Sequence, residues 1–212
     1  VIGAEDANVA KKSVVIEQYD PGSRQSEIAR VFADLKSFLK AFIPQALDAQ
    51  AQRRARRPLK TFRAVFPIER QKALGQALMP AIGFDFNHGR LDVSHHPFCG
   101  GVPSDVRMTT RYRTDEFLSS LMGILHETGH GLYEQNLPRD LGHWPSAKAR
   151  GMATHESQSL FQEMQLSRRP EFWAFALPLA RKHLGAENFE GFEVEDMLAH
   201  VHRVERGLIR VD

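Results

Sequence analysis

The stretch His126-Glu127-Thr128-Gly129-His130 decides how this chain of 212 residues is interpreted. On a helix, residues four apart differ by only about 40° around the axis, so the two imidazoles can reach one metal ion. Glu127 follows the first histidine, where its carboxylate could take a proton from a metal-bound water. One helical turn therefore offers two ligands and a base, a pattern typical of zinc-dependent peptidases.

A helix is expected around this motif. The residues before it place apolar side chains at helical spacing, namely Phe117, Leu118, Leu121, Met122 and Leu125. Thr114 is the predicted N-cap, with Asp115 and Glu116 in the first turn. Gly129 and Gly131 each cost ~1 kcal/mol of helix stability relative to alanine, so we expect another element to approach the backbone there. The alternative is a helix with two ordinary surface histidines.

A catalytic zinc site needs a third protein ligand, because such sites use three protein ligands and one water. The best candidate is Glu156, on a second helix that opens near Thr154. The apolar side of that helix is predicted to hold Leu160, Phe161, Met164 and Leu166. Spacing alone leaves open that Glu156 is a solvated glutamate of the first turn. His155 would point about 100° away from it, so we expect His155 to orient a ligand or a carboxylate.

Composition restricts the classes of protein that this chain can belong to. Hydrophobic residues make up 42% and charged residues 25% of the chain, as in ordinary globular proteins. The net charge of +2 is too small to argue for a nucleic-acid partner. The basic run Arg53–Arg57 fits the C-terminal end of a helix, where cations are favourable. No run of about 18 apolar residues occurs, so no membrane-spanning helix and no membrane partner are predicted.

Cys99 is the single cysteine. A lone cysteine excludes an internal disulfide and suits a reducing compartment, so we predict a cytoplasmic location. It also excludes zinc sites built from thiolates, which leaves histidine and carboxylate as ligands. Cys99 lies beside Gly100 and Gly101 and could be a nucleophile, but a small buried thiol is the favoured interpretation.

The predicted fold class is mainly α with a small β-sheet, as one catalytic-core region over residues 1–212. Residues 1–80 are predicted to be helical, and residues 81–113 alternate in hydrophobicity as a small sheet of two or three strands does. Residues 114–212 are predicted to form the helices that carry the metal ligands. A strand beside a metal cleft could bind an extended peptide through main-chain hydrogen bonds.

Turn residues and prolines set the predicted boundaries of the helices in the helical region. Asp20-Pro21-Gly22 predicts a turn, followed by an apolar helical stripe of Ile28, Val31, Phe32, Leu35, Phe38, Leu39 and Phe42. Pro44 is expected to kink or restart that helix and Pro58 to end it. Pro80 is expected to stop the helix that begins near Pro67.

Five stretches, in order and spacing, resemble the thermostable-carboxypeptidase family named after the Taq enzyme, a group of zinc metallocarboxypeptidases. They are His96-Pro97-Phe98, Asp105-Val106-Arg107-Met108-Thr109, the ten residues from His126 to Gln135, His155-Glu156-Ser157-Gln158-Ser159, and Ile209-Arg210-Val211-Asp212. The resemblance extends over most of residues 18–212. The family chain is longer at both ends, so we expect this sequence to be a fragment.

The resemblance implies a role for each matched residue. The metal ligands would be His126, His130 and Glu156, holding one Zn²⁺ per chain, although another divalent cation such as Co²⁺ is possible. Glu127 would be the general base. The substrate-binding residues would be His96, Arg107 and Arg210, with one arginine at the terminal carboxylate of the peptide. The fold would be a gluzincin-like helical architecture with a deep substrate groove, and the full-length protein a homodimer that releases single C-terminal amino acids.

Other interpretations remain at this point. Arg107 could simply pair with Asp105 or Glu116, Arg210 could be a solvated charge, and His96 could be a packed or hydrogen-bonded histidine. For the whole chain, one alternative is a zinc endopeptidase or oligopeptidase with the same ligands. Another is an inactive, truncated module that binds peptides without metal.

Overall fold

The structure is a computed structural model that describes residues 4–62 and 65–205, with side chains described from residue 12 onward. It is mainly helical with one small sheet, which confirms the predicted fold class. The elements in chain order are α1 (Ala4–Tyr19), α2 (Gln25–Arg56), α3 (Ile68–Ala81), β1 (Gly89–Val93), β2 (Phe98–Val102), β3 (Asp105–Thr110), α4 (Leu118–Gln135), α5 (Met152–Leu160), a π-helical segment (Phe161–Leu166), α6 (Pro170–Leu184) and α7 (Val194–Val201). None of the described helices is long and apolar enough to cross a membrane.

The chain divides into two compact units, one of residues 1–58 with 150–154 and the other of residues 59–149 with 155–212. In the first unit, α1 and α2 are joined by the predicted turn, where Gly22 has φ 87°. A positive φ is tolerated by glycine because it has no Cβ. The apolar stripe of α2 is exposed, with Phe32 at 66% and Phe38 at 57%. Periodicity therefore predicted the helix correctly, but not the burial of its apolar face within the described residues.

Two prolines behave differently from the sequence expectation. Pro44 does not restart the helix, because α2 runs without interruption to Arg56, just before Pro58. Pro80 lies inside α3, which ends at Ala81. A proline in the last turn costs little there, because the following backbone N–H groups of Ile82, Gly83 and Phe84 donate back to carbonyls of the final turn.

The second unit buries two groups of apolar side chains. The larger group lies between α3, α4, α6 and α7 and includes Trp173 and Leu184, both at 0% exposure. The smaller group packs the sheet against α4, with Val106 and Met108 of β3 meeting Ile124. Together they fix α4 on two sides, so the helix that carries the histidine pair is held rigidly.

The predicted sheet is confirmed as three strands in the order β1-β3-β2. β1 runs parallel to β3, with Leu91 opposite Met108, and β2 runs antiparallel to β3, with Cys99 also opposite Met108. Among the described residues, β2 is an edge strand of the sheet. Its backbone groups on the outer side are therefore available for an added strand.

Helix α4 begins later than predicted. Thr114 is not its N-cap; the cap position is Phe117, and the Glu116 carboxylate accepts a hydrogen bond from the Ser119 N–H at 2.6 Å. The reason is that a backbone group of Thr114 makes a long-range hydrogen bond. The Thr114 carbonyl accepts from the N–H of Phe66 at 2.7 Å, which holds the preceding residues out of the helix. Phe117 then enters the core, where it is 1% exposed.

Of the four apolar residues predicted for the buried side of the helix that carries Glu156, Leu166 packs against the larger apolar group, whereas the other three are exposed. Leu160, Phe161 and Met164 are 38%, 54% and 39% exposed. The buried face of α5 and of the residues after it consists instead of Ser159, Glu163 and Ser167. Small and polar side chains allow a closer approach to α4 than leucine or phenylalanine would, and this approach shapes the site.

Candidate metal centre

His126 and His130 lie one turn apart on α4, with their ring centroids 5.0 Å from each other. Their side chains are 16% and 14% exposed, so both are largely screened from solvent by protein. The register of α4 follows from its apolar residues, which turn Ile124 and Leu125 into the core. The two histidines are thereby left on the side that faces α5.

Glu156 meets the histidine pair from α5. Its Oε1 lies 3.7 Å from Nε2 of His126, and its Oε2 lies 3.4 Å from Nε2 of His130. One ligand atom from each of the three residues lies within 4.8 Å of the others. In a tetrahedral zinc site with bonds near 2.0–2.1 Å, neighbouring ligand atoms are about 3.3 Å apart. The donor set and its spacing therefore fit a zinc ion.

The hydrogen bonds behind the rings favour the same tautomer for both histidines. Nδ1 of His126 lies 2.9 Å from Oε2 of Glu163, which can only accept when ionised. Nδ1 of His130 lies 2.7 Å from Nδ1 of His155, whose Nε2 lies 2.7 Å from Oε1 of Glu134. If His155 donates to Glu134 it must accept from His130. In both histidines the proton then sits on Nδ1, and Nε2 keeps the lone pair that a metal ion would require.

His155 was expected to orient a ligand or a carboxylate, and its ring lies within hydrogen-bonding distance of both His130 and Glu134. Neither Glu163 nor Glu134 was identified from the sequence. Both had a signal in the spacing. Glu163 is seven residues after Glu156, which returns it to nearly the same helix face, and Glu134 is four residues after His130.

The two imidazoles have different electrostatic surroundings. For His130, burial, then repulsion from His155 and His126, lowers the pKa to about 4. For His126, burial opposes protonation, but the hydrogen bond to Glu163 and the nearby charge of Glu156 outweigh it and raise the pKa. His130 is therefore neutral at physiological pH, and its Nε2 lone pair is available to a metal. At His126, a proton competes with any metal ion for the ring nitrogen.

Glu127 is buried, at 6% exposure, beside the histidine pair on α4. After burial and the contacts of His126 with Glu163 and Glu156, the negative charge of Glu127 also raises the pKa of His126. Burial is the first cause that raises the pKa of Cys99, to about 12, followed by Glu127 and Glu134. A thiol with that pKa stays protonated at neutral pH, which argues against Cys99 as a nucleophile.

Other elements approach α4 closely at Gly129 and Gly131, as expected from the sequence. A Cβ on Gly129 would lie 2.4 Å from the carbonyl oxygen of Gln158 and 2.6 Å from Cα of Ser159. On Gly131 it would lie 2.8 Å from Sδ of Met108 and 2.9 Å from the ring of Phe84. The backbone contact at Gly129 brings α5 close enough for Glu156 to reach the histidines.

Replacing Gly129 with alanine is expected to destabilise the protein and weaken metal binding. The new methyl group meets backbone, so the two helices must separate, and overpacking of this kind costs about 1–3 kcal/mol. Gly123→Ala on the same helix is the matched control, because its Cβ would lie 3.7 Å from Thr110 Oγ1, an ordinary contact. Chemical denaturation and metal titration of both variants test this. Equal behaviour of the two alanines would contradict the close-approach argument.

The three predicted substrate-binding residues have different outcomes. Arg107 is exposed and makes a bidentate pair with Asp105, with its Nη2 2.7 Å from Oδ2, as the alternative interpretation anticipated. His96 is also exposed, and its carbonyl accepts from the hydroxyls of Ser94 and Thr109. Arg210 lies outside the described residues. Their contact with a substrate therefore stays a prediction.

The sequence of this chain is similar to those of two bacterial carboxypeptidases. The sequence is 37% identical over 202 residues to thermostable carboxypeptidase 1 of Thermus thermophilus, covering 93% of this chain and 38% of that protein. It is 33% identical to carboxypeptidase 1 of Bacillus subtilis, over 93% of this chain and 39% of that protein. The chain thus spans about two fifths of the length of these relatives.

Solved structures agree with the sequence relatives. Metallocarboxypeptidase 1 of Trypanosoma cruzi superposes with a TM-score of 0.81 at 38% identity, covering 93% of this chain and 39% of that one. An M32 carboxypeptidase from Deinococcus radiodurans R1 superposes with a TM-score of 0.78 at 32% identity, covering 92% and 38%. The family profile described as carboxypeptidase Taq (M32) metallopeptidase matches residues 4–212. The chain belongs to that family of metallopeptidases.

Proposed function

We propose that this chain carries the metal-binding core of a zinc metallocarboxypeptidase, which releases single amino acids from the C-terminus of a peptide. The observation that carries the proposal is the convergence of His126, His130 and Glu156, whose ligand atoms lie within 4.8 Å of one another in a member of a metallopeptidase family. A homodimer of the whole protein and a cytoplasmic location belong to the same proposal. They are supported by the resemblance and by the single cysteine.

Zinc is the metal that suits these ligands best. Two imidazoles and one carboxylate, without thiolate, form the set found in many catalytic zinc sites, and Co²⁺ accepts the same geometry. When bound, the ion supplies Lewis acidity toward water and toward the scissile carbonyl. The protein contributes the fixed Nε2 atoms of His126 and His130, and a Glu156 carboxylate that approaches from the opposite helix.

Glu127 is the proposed general base. It takes a proton from the water that attacks the scissile carbonyl carbon, and it returns that proton to the nitrogen of the leaving amino acid as the C–N bond breaks. The burial of Glu127 suits this exchange, because a carboxylate with little water around it is a stronger base than one at the surface. Proton and bond changes then balance within the site.

The substrate is proposed to lie along β2. This edge strand packs against α4, the helix that carries the histidine pair. An extended peptide could add to its outer side through main-chain hydrogen bonds. His96 precedes β2 and would line the same cleft, while Arg107 or Arg210 would bind the terminal carboxylate. Arg107 would have to share or leave Asp105 to do so.

The pairing of Arg107 with Asp105 favours a second candidate function, a zinc endopeptidase or oligopeptidase. Arg107 is the described member of the two predicted anchors, and its guanidinium already donates to Asp105 through Nε and Nη2. If Arg107 does not bind the terminal carboxylate of the peptide, it cannot restrict cleavage to the last peptide bond. The two activities share the metal site and differ in their products.

Metal content and reaction products test the proposal. The purified chain is expected to contain about one zinc ion, and it should yield a ladder of single-residue losses from the C-terminus of a test peptide in mass spectra. Internal fragments would instead support the oligopeptidase. Peptide binding without zinc or hydrolysis would support the inactive module and overturn the proposal. As the internal control, zinc is removed with a chelator and then added back.

A further inference from the structure

We propose that Glu163 is a positioning residue for His126, holding its imidazole so that Nε2 faces the metal. The proposal rests on the proposed metal site and adds a residue to it that acts from behind a ligand. Glu163 lies in the π-helical segment Phe161–Leu166, after the helix that carries Glu156. One continuous stretch of chain thus supplies both the carboxylate on the metal side of His126 and the carboxylate behind it.

The His126 ring is bracketed by these two carboxylates. Its Nδ1 lies 2.9 Å from Oε2 of Glu163, and its Nε2 lies 3.7 Å from Oε1 of Glu156. The first distance is that of a hydrogen bond, and the second is that of two atoms able to share an ion. A 180° flip of the ring would put Cδ2 in the place of Nδ1 and Cε1 in the place of Nε2, so that neither carboxylate would face a ring nitrogen. The hydrogen bond to Glu163 opposes that flip.

Glu163 is itself held in place. Its side chain is 7% exposed, and the guanidinium of Arg168 lies 3.9 Å from its Oε1. Its backbone carbonyl accepts a hydrogen bond from the Ser167 hydroxyl at 2.5 Å. A buried carboxylate stays ionised only where donors and positive charge offset its lost hydration. Glu163 is therefore built into the protein as an acceptor aimed at one imidazole.

A π-helical segment carries the second of the two glutamates that flank His126. Seven residues of regular α-helix would place Glu163 on the Glu156 face but about 10.5 Å further along the axis. A π-helical segment is wider and shifts the residues that follow, and such segments occur often at functional sites. The close approach at Gly129 brings this face against α4, with Ser159 buried between the two glutamates.

Two substitutions separate hydrogen bonding from simple packing. Glu163→Leu removes the acceptor, and Glu163→Gln keeps an amide oxygen that can accept from Nδ1–H. We expect Glu163→Leu to lower zinc affinity about 10–100-fold, as measured by chelator competition, and Glu163→Gln to recover most of that loss. The visible absorption of bound Co²⁺ should change in the leucine variant and remain close to the original in the glutamine variant.

Asp196→Asn is the matched control for losing a buried charge. Asp196 is a carboxylate of the same unit, 3% exposed, that pairs with Lys60 and caps α7. Its substitution should lower stability without changing the Co²⁺ spectrum. Equal zinc affinity in wild type and Glu163→Leu, or equal losses in the leucine and glutamine variants, would overturn the positioning role.

The tautomer of His126 decides the question without any variant. In ¹⁵N spectra of the metal-free wild-type protein, recorded where the imidazole is neutral, His126 is expected with its proton on Nδ1. A proton on Nε2 would overturn the proposal, even if every variant folded poorly. This measurement also separates the two levels of inference. A wild-type chain that binds no zinc would refute the proposed function, while the tautomer would still test the role of Glu163.

Discussion

Replacing Glu127 with glutamine is expected to reduce peptide hydrolysis by roughly 10²–10⁴-fold, the usual contribution of a general acid–base group. Glutamine has nearly the same shape, but it cannot take a proton from the attacking water at neutral pH. Metal affinity should change little, because Glu127 is not one of the three residues whose ligand atoms converge. The expected signature is therefore a protein that keeps its zinc and loses its turnover.

Steady-state hydrolysis of a short peptide and zinc analysis of the same sample make this measurement. Glu116→Gln is the matched control, because it is the same chemical change near the start of the same helix, at the residue that caps Ser119. It should retain the full rate. A Glu127→Gln protein that hydrolyses peptides at the wild-type rate would remove Glu127 from the mechanism, whatever the metal content.

Local spacing predicted the parts of the site that depend on a single helix. The four-residue separation of His126 and His130 and the apolar residues before them were enough to predict a helix with both rings on one side. The glycines in the motif were enough to predict a close neighbour, and the structure shows the backbone of Gln158 and Ser159 there. These features depend on helix geometry, which is the same in every protein.

Features that depend on the partner surface could not be predicted in this way. Sequence periodicity selected Leu160, Phe161, Met164 and Leu166 as the apolar side of the second helix. Of these four, Leu166 packs against the core, and the fully buried residues of this stretch are instead Ser159, Glu163 and Ser167. Apolar periodicity reports an amphipathic helix and does not report which surface it meets. At this close helix–helix contact beside the candidate metal site, small residues and a paired carboxylate take the place of leucines.

Helix boundaries were decided by long-range hydrogen bonds. Thr114 has the right side chain for a helix cap, but its carbonyl accepts from Phe66, which is remote in sequence. The start of α4 therefore moves to the residues after Phe117. The apolar stripe of α2 also could not be interpreted from its own helix alone. Phe32 and Phe38 are exposed, although their spacing is that of a buried face.

Glu156→Ala is expected to weaken zinc binding by more than 100-fold, beyond the about 10–100-fold that loss of an outer hydrogen-bond partner costs. Glu156 supplies the carboxylate opposite both Nε2 atoms, and two imidazoles on one helical turn leave the ion with too few protein ligands. Its side chain is 49% exposed, so its removal leaves no cavity and little direct loss of folding stability. Metal affinity should therefore fall while the fold remains.

Thermal unfolding with and without zinc separates this expectation from the simpler interpretation of Glu156 as a solvated glutamate. A ligand that binds only the folded state stabilises it by about 2.7 kcal/mol when present at 100 times its dissociation constant. Wild type should gain that stability, whereas Glu156→Ala should gain almost none at the same zinc concentration. Glu171→Ala, at an exposed glutamate in the first turn of α6, should respond to zinc as wild type does. If zinc stabilised the Glu156 and Glu171 variants equally, the Glu156 carboxylate would have no part in holding the ion. Glu156 would then be a solvated glutamate that lies near the two histidines without sharing a metal with them.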